Sequence, residues 1–215
     1  MAKYPISHNG GKNLGDYFEE ILDFHIPPSK FARILDPTCG NRYLWSNYLR
    51  QNLLGKTKIE EYGEVVFSDI KDLGYNIVSS IADLEFDKPF NAIIYDPPYF
   101  FGYEGSDDPR REDYGDYLQT YEDLIWFMEI ANEKFPKWLI QDGKLILKCA
   151  DQYQTKERKF YSHHNTWINK LTNFEISDTL IFTHHRISPT AFQVKDRPCS
   201  VIMHTYFLVF NKRNQ

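Results

Sequence analysis

Three apolar segments of this chain each end in an aspartate, and this pattern constrains the fold more than any other feature. The segments read FARILD (31–36), GEVVFSD (63–69) and FNAIIYD (90–96). Short apolar runs that are bounded by turn residues are typical of strands buried in a parallel sheet. Because parallel strands end at one edge of a sheet, where ligands bind, we expect Asp36, Asp69 and Asp96 to lie there together.

Helical segments separate most of these strands, so the order of elements predicts an α/β fold. We expect helices over 12–25, 42–54, 120–139 and 164–173, and further strands over 143–151, 174–184 and 200–212. This alternation favours a Rossmann-like, doubly wound, mostly parallel sheet with helices on both faces. The last two strands follow one another without a helix, which predicts an antiparallel C-terminal strand pair.

Length and composition favour one globular domain, with residues 1–30 as an N-terminal helical extension of a domain over 1–215. The 215 residues are 42% hydrophobic and 26% charged. No apolar run approaches the ~20 residues of a membrane span, and the first residues lack the apolar segment of a secretory signal. We therefore expect a cytoplasmic protein without membrane contact. Three widely separated cysteines favour reduced thiols over a disulfide framework or a zinc site.

Charge is unevenly distributed along the chain. The net charge of -5 argues against a protein that coats nucleic acid, but residues 144–215 contain eleven Lys and Arg against five acids. This asymmetry is compatible with one face that meets a polyanion. It is equally compatible with an ordinary solvated surface.

Three motifs carry a resemblance to a known family. The segments LDPTCGN (35–41), FSD (67–69) and IIYDPPY (93–99) resemble those of class I S-adenosylmethionine-dependent methyltransferases that methylate exocyclic amino groups of nucleobases. The mark of that group is Asp, Asn or Ser, then Pro-Pro, then Tyr, Phe or Trp. The segment HTYFLVFNK (204–212) also resembles the final strand of the DNA adenine-N6 and cytosine-N4 enzymes. The likeness spans roughly residues 31–212, and the tetrapeptide is its most specific part.

The resemblance implies a catalytic role for Asp96, Pro97, Pro98 and Tyr99. An aromatic amine is a poor nucleophile because its lone pair is delocalised into the ring. Hydrogen bonds to Asp96 and to the Pro97 carbonyl would localise that lone pair, and prolines add no competing N–H donor. Tyr99 would stack on the base and position it. Either Asp96 or water would take the proton that the amine loses. The alternative interpretation of this segment is an ordinary turn at the end of a strand, with a solvated aspartate.

The resemblance also implies S-adenosylmethionine as cofactor, bound by Asp36, Pro37, Thr38, Cys39, Gly40, Asn41, Asp69 and Asp83. In this interpretation residues 36–40 follow the methionine part, Asp69 binds the ribose hydroxyls, and Asp83 meets the adenine amino group, with Asp72 and Asp87 as alternatives to Asp83. The family loop usually reads acid-x-x-x-G-x-G. The second glycine is missing here unless Asn41 adopts the positive φ that asparagine tolerates.

Two polar loops, 100–120 and 183–199, are predicted to face the substrate. Phe100 and Phe101 would offer stacking surfaces in the first loop, for which a plain solvated loop is the alternative. In the second, His184, His185 and Arg186 would contact phosphates or base edges. Adjacent histidines are not spaced for a shared ion, so we expect no metal site.

Taken together, these features predict an S-adenosylmethionine-dependent methyltransferase that acts on an exocyclic amino group, with adenine N6 in DNA foremost. Adenine N6 or guanine N2 of tRNA or rRNA is the first alternative. A non-catalytic nucleic-acid-binding or scaffold protein is the second. Because 215 residues leave no room for a large sequence-reading domain, target recognition would come from the two loops, a homodimer or a specificity partner.

Overall fold

The computed structural model describes residues 8–51, 55–102, 118–154, 157–184, 202 and 204–213. The helices in these ranges are α1 (Leu14–His25), α2 (Ser46–Leu49), α3 (Tyr121–Trp138) and α4 (His163–Lys170). The strands are β1 (Arg33–Asp36), β2 (Glu64–Asp69), β3 (Ile77–Val78), β4 (Phe90–Tyr95), β5 (Leu139–Cys149), β6 (Gln152–Gln154), β7 (Lys159–Tyr161), β8 (Phe174–Thr183) and β9 (His204–Lys212).

Seven of these strands form one sheet in the order β3-β2-β1-β4-β5-β9-β8. Strands β1 to β5 pair in parallel, and β9 runs antiparallel to both of its neighbours, β5 and β8. The ends of β1, β2, β4 and β5 therefore share one side of the sheet, which we call the carboxyl edge. The predicted mostly parallel α/β sheet and its antiparallel C-terminal pair are confirmed.

Each face of the sheet has its own hydrophobic core. On one face the rings of Phe18 in α1 and Trp45 meet edge to face with centroids 5.4 Å apart. On the other face Tyr95 of β4 packs against Phe135 of α3 at 4.9 Å and against Trp167 of α4 at 5.7 Å. Residues that alternate along a buried strand point to opposite faces, so both cores draw on the same strands.

Helix α1 belongs to the core. It begins after Asn13, whose side chain accepts a hydrogen bond from the backbone N–H of Asp16, and it ends before Pro27 and Pro28. Proline lacks the N–H that a continuing helix needs. The apolar side of the helix is fully buried: Tyr17, Phe18, Ile21 and Leu22. The predicted N-terminal extension thus contributes a helix that covers the sheet, and residues 1–7 lie outside the described residues.

Three predicted helices are confirmed, and the fourth is shorter than predicted. The helices expected over 12–25, 120–139 and 164–173 correspond to α1, α3 and α4. Over 42–54 the chain forms a 3-10 turn at 43–45 and the single turn α2, after which Arg50 is extended. The apolar residues Leu44, Trp45 and Tyr48 are buried as their spacing suggested. A short helix suffices to bury them against α1.

Strand β3, the β6–β7 hairpin and the 3-10 turn at 58–61 were not predicted. Elements of two to four residues are too short to show a hydrophobic period. The turn at 58–61 did carry a local signal, because Thr57 and Glu60 form a capping box. The paired strands β6 and β7 follow β5 directly and lie next to the segment that ends the Pro-Pro turn.

Two further features bear on the expected environment of the protein. No helix in the described part of the chain is long and apolar enough to cross a membrane. Cys39 and Cys149 are buried free thiols, and Cys199 lies outside the described residues.

We expect Phe207→Ala to lower the free energy of unfolding by about 3–5 kcal/mol, the usual cost of deleting a buried phenyl ring. Phe207 of β9 is fully buried beneath α1, with its ring centroid 6.2 Å from Tyr17 and 6.3 Å from Phe18. Urea unfolding measures the change. Phe31→Ala is the matched control, because Phe31 is 91% exposed. A loss below about 1 kcal/mol at Phe207 would show that α1 does not depend on this contact.

Candidate active site

A cavity of ≈ 460 Å³ opens at the carboxyl edge of the sheet. Clefts of roughly 300–1,000 Å³ hold small ligands and cofactors. Its walls include nine of the residues that the sequence singled out: Asp36, Pro37, Thr38, Cys39, Gly40, Asn41, Asp69, Asp96 and Pro98. The three strand-end carboxylates therefore meet in one cavity, as expected.

Asp36 is the most buried of the three carboxylates, with 2% of its surface exposed. Its Oδ2 accepts a hydrogen bond from Nε1 of Trp45 at 2.8 Å, and its Oδ1 accepts one from the backbone N–H of Thr38 at 3.1 Å. Burial raises the pKa of Asp36 to about 7, and these two bonds oppose the rise. Near neutral pH the Asp36 carboxyl group is therefore poised between its charged and neutral forms.

The loop that follows β1 is bonded to both neighbouring strands. The backbone N–H of Gly40 donates to Oδ2 of Asp69 at the end of β2, at 2.9 Å. The hydroxyl oxygen of Thr38 accepts from the backbone N–H of Asp96, directly after β4, at 3.0 Å. These bonds fix the loop relative to all three strand ends.

Arg42, and not Asn41, adopts a left-handed backbone conformation in the loop after β1. Gly40 and Arg42 have φ of 47° and 56°, and among the described residues Asn41 is not one with positive φ. Asn41 therefore does not replace the missing glycine: counted from the acid that ends β1, Arg42 occupies the position of the second glycine of the family loop. A left-handed non-glycine residue is strained by about 1–2 kcal/mol. The Arg42 guanidinium lies 3.4 Å from the ring centroid of Tyr75, whose hydroxyl donates to the Gly40 carbonyl at 2.6 Å, and these contacts offset the strain.

Asp96 faces the cavity in an ion pair with Lys148 of β5. The Lys148 Nζ donates to Oδ1 and Oδ2 of Asp96 at 2.9 and 2.8 Å, and it lies 3.3 Å from the hydroxyl oxygen of Tyr99. Lys148 is 9% exposed and lines the same cavity. The segment after β4 is therefore not an ordinary solvated turn.

The charges in this cluster follow from burial and from the pairing. Burial alone would lower the pKa of Lys148, but the attraction of Asp96 outweighs it and the pKa is raised above its usual value. Burial raises the pKa of the Tyr99 phenol, although the Lys148 charge opposes the rise. At neutral pH an ammonium group and an un-ionised phenol thus surround the Asp96 carboxyl group.

The aromatic residues after the Pro-Pro pair turn inward. Tyr99 is 8% exposed and does not line the cavity, so its stacking on a base stays a prediction. Phe100 is partly exposed and packs edge to face on Tyr99 at 4.7 Å. The predicted stacking role of Phe101 is wrong, because Phe101 is 3% exposed and packs against Tyr161 at 5.0 Å. Gln152 holds it there through bonds to its backbone N–H and C=O.

Asp83 does not reach the cavity. Its side chain is exposed, whereas residues 79–81, just before it, line the cavity wall. The expected contact of Asp83 with a cofactor is therefore not supported, and neither Asp72 nor Asp87 lines the cavity in its place. Ser79 and Ser80 are the polar residues that the structure places there instead.

The second substrate-facing loop is mostly outside the described residues. His184 directly follows β8, two strands away from β5, and its ring packs edge to face on Phe182 at 4.9 Å without lining the cavity. The predicted residues His185 and Arg186 lie outside the described residues, as do 103–117 of the first loop. Within the described ranges no group of three His, Cys, Asp or Glu could hold a metal ion.

Sequence reasoning missed Lys148 and Trp45. Both belong to predicted elements, but neither role shows in a periodic pattern. Lys148 could have been recognised from the sequence, because it is a lysine within the apolar run LILKCA, near the carboxyl end of a predicted buried strand. A lysine is rarely buried unless it is paired, so that position predicts a carboxylate nearby.

Comparisons with known proteins extend this picture. No protein-family model matches the sequence, and no curated protein matches it at a significant level. Solved structures do match the chain. The N-methyltransferase NodS from Bradyrhizobium japonicum WM9, solved with S-adenosyl-L-homocysteine, has a TM-score of 0.56 at 10% identity, over 95% of this chain and 90% of its own. The fold is that of the S-adenosylmethionine-dependent methyltransferases.

Two further structures share the methyltransferase fold. TrmN from Thermus thermophilus has a TM-score of 0.54 at 10% identity, over 93% of this chain and 49% of its own. The 1,6-didemethyltoxoflavin-N1-methyltransferase of Burkholderia thailandensis, solved with 1,6-didemethyltoxoflavin and S-adenosylhomocysteine, has a TM-score of 0.51 at 11% identity, over 95% of this chain and 80% of its own. The predicted fold is thereby confirmed. The narrower likeness to amino-methyltransferases with Asp-Pro-Pro-Tyr rests on sequence and stays a prediction.

In this methyltransferase fold we expect Trp45→Phe to destabilise the protein more at pH 8 than at pH 5. The variant removes the N–H that stabilises ionised Asp36, at a cost of about 1–3 kcal/mol. The pKa of Asp36 in the folded protein is already raised to about 7, so at pH 5 this carboxyl group is protonated. The protein then loses less stability when the Trp45 N–H is removed. Urea unfolding at both pH values measures the difference, with the exposed Trp126→Phe as control. Equal losses at the two pH values would contradict this role.

Proposed function

We propose that this protein is an S-adenosylmethionine-dependent methyltransferase that acts on an exocyclic amino group of a nucleobase, adenine N6 in DNA foremost. One observation carries the proposal: Asp96 and Pro98 line the same cavity as Asp36 and Asp69. An amine held at Asp96 would therefore lie beside a ligand held by the loop after β1. The methyltransferase fold of the chain supports this assignment.

The walls of the cavity suit S-adenosylmethionine. The ligand carries positive charge on its sulfonium and its amino group, and the carboxyl group of Asp36 and the backbone of the 36–41 loop line the cavity. Asp69 accepts from the backbone N–H groups of Gly40 and Lys71, and each carboxylate oxygen retains a second lone pair for a ribose hydroxyl. Ser79 and Ser80 add hydroxyl groups to the wall. When bound, S-adenosylmethionine supplies a methyl group that is activated as an electrophile by its sulfonium.

The segment after β4 suits a planar amino group. Asp96 accepts hydrogen bonds, and the prolines at 97 and 98 bring carbonyl oxygens without N–H donors. Two acceptors that bind the two amino hydrogens draw the nitrogen towards a tetrahedral geometry and localise its lone pair. Because Asp96 is held by Lys148 and by Thr38, this acceptor is in place before the substrate arrives. Such positioning lowers the barrier without covalent catalysis.

DNA is favoured as the substrate by the sequence likeness. In that family the Asp-Pro-Pro-Tyr form is typical of adenine N6 rather than cytosine N4. A base in duplex DNA would have to leave its stack, at a cost of a few kcal/mol. The basic segment 144–215 is a source of phosphate contacts. Adenine N6 or guanine N2 of RNA remains the alternative that the sequence leaves open.

A small nitrogen heterocycle is a second candidate substrate. The likeness to 1,6-didemethyltoxoflavin-N1-methyltransferase, with a TM-score of 0.51, favours it. A non-catalytic scaffold is the remaining alternative. The retained ion pair of Asp96 inside the cavity argues against a scaffold, because burying charged groups costs free energy that a protein without chemistry there need not spend.

The test is transfer of a radiolabelled methyl group from S-adenosylmethionine to separate pools of DNA, tRNA, rRNA and adenosine. We expect label in DNA. Asp96→Ala should reduce transfer at least about 1,000-fold while changing cofactor affinity less than about tenfold, because Asp96 contacts the acceptor amine. Asp96→Asn keeps a hydrogen-bond acceptor and should retain measurable transfer.

Asp83→Ala is the matched control for Asp96→Ala and should transfer methyl groups like the unmodified protein. Label in RNA or adenosine alone would assign a different substrate to the same chemistry. Full loss of cofactor binding in Asp96→Ala would contradict its assigned role. Absence of both transfer and cofactor binding at millimolar S-adenosylmethionine would favour the scaffold.

We also expect the affinity for S-adenosylmethionine to increase as the pH rises from 6 to 8. Burial raises the pKa of Asp36 to about 7, so over this range the group gains the charge that attracts a cationic ligand. Calorimetric titrations across the range measure the slope. Asp36→Asn should flatten it, whereas Asp83→Asn should not. An affinity that is independent of pH in the unmodified protein would show that Asp36 does not contribute charge to binding.

A further inference from the structure

Lys148 places a cationic hydrogen-bond donor directly beside the Asp96 carboxylate. It projects from β5 into the cavity at 9% exposure. Both oxygens of Asp96 lie within 2.9 Å of its Nζ, and the Tyr99 hydroxyl lies farther off, at 3.3 Å. An ammonium has three N–H donors. Two of these N–H groups point to Asp96, and the third makes only the long contact to the Tyr99 hydroxyl. A stronger acceptor on a substrate could therefore bind this third N–H group in place of Tyr99.

The donor next to Asp96 matches one edge pattern of the nucleobases. In adenine the N6 amino group is adjacent to the unprotonated ring nitrogen N1, and in cytosine the N4 amino group is adjacent to N3. In guanine the N2 amino group is adjacent to N1–H, a donor that would face the ammonium, and N3 lies on the side of the sugar. An acceptor for the amine beside a donor for the ring therefore fits adenine and cytosine.

We propose that Lys148 determines specificity by donating a hydrogen bond to the unprotonated ring nitrogen next to the target amine, while Asp96 accepts from the amine. This inference rests on the proposed function and narrows its substrate to bases with the amine–acceptor edge of adenine or cytosine. Lys148 would also disfavour guanine by repulsion, because a guanine whose N2 amine is bound at Asp96 would place its ring N1–H next to the fixed Lys148 cation.

The fold holds Lys148 where this role requires it. Strands β4 and β5 pair in parallel register, with Tyr95 opposite Leu147. Asp96 and Lys148 are the next residues along each strand, so the acceptor and the donor stand side by side at the carboxyl edge. An amino group and its neighbouring ring nitrogen are likewise side by side on a base.

The test compares two oligonucleotides as substrates. One carries the unmodified target base, and the other carries its deaza analogue, which is 1-deazaadenine for adenine or 3-deazacytosine for cytosine. The preference is the ratio of kcat/KM for the natural base to kcat/KM for the deaza analogue. We expect this ratio to be about 10 to 100 times larger in the unmodified protein than in Lys148→Met, which is the contribution of one hydrogen bond from a charged donor. The intrinsic reactivity of each base cancels in this ratio of ratios. If Lys148→Met weakens the attraction of DNA phosphates in general, this effect is the same for both oligonucleotides and also cancels.

Lys148→Arg is the matched control, because it keeps the charge and a donor and should retain part of the preference. If Lys148→Met does not turn over, fluorescence anisotropy with S-adenosylhomocysteine present gives the same two ratios from binding alone. Equal preference for the natural base in the unmodified protein and in Lys148→Met would overturn the inference. Methylation of guanine N2 would overturn it as well. No transfer to any nucleic acid would overturn the proposed function together with it.

Discussion

The ion pair between Asp96 and Lys148 is the interaction on which the rest of the site depends. Two charges so poorly exposed are stable only when each satisfies the other and further hydrogen bonds complete the cluster. The hydroxyl oxygen of Tyr99 accepts the further hydrogen bond from Lys148, and the Thr38 hydroxyl holds the backbone of Asp96 in place. The pairing in turn requires β4 and β5 to be adjacent, parallel and in one register. The fold therefore fixes the acceptor group before any ligand binds.

A single sheet edge collects charges that would otherwise repel one another. Strands β1 and β2 each end in an aspartate, and Asp96 directly follows β4. Burial is the main cause of the raised pKa of Asp36, and the carboxylates of Asp96 and Asp69 raise it further. Lys148 supplies a compensating charge from the next strand. Backbone N–H groups of the 36–41 loop and the Trp45 indole supply further donors. A cationic ligand fits such a cavity better than an anionic one.

Much of the fold could be predicted from sequence, because strands with acids at their ends and long amphipathic helices have strong periodic signals. The meeting of Asp36, Asp69 and Asp96 followed from the same pattern. Arg42 could not be identified, because its left-handed backbone depends on the stacked ring of Tyr75, 33 positions away. Phe101 was misjudged for a similar reason: a phenylalanine after a Pro-Pro turn faces solvent or core according to tertiary contacts alone. The short elements β3, β6 and β7 carry too few residues for a period.

A crystal structure of the protein with S-adenosylhomocysteine tests the central claim most directly, since it asks whether the carboxyl-edge cavity is a cofactor site that opens onto Asp96. We expect ligand density along residues 36–41 and beside Asp69, with the sulfur on the side of the cavity that holds Asp96 and Lys148. A ligand bound elsewhere would contradict it. So would a ligand in this cavity whose sulfur is directed away from that ion pair.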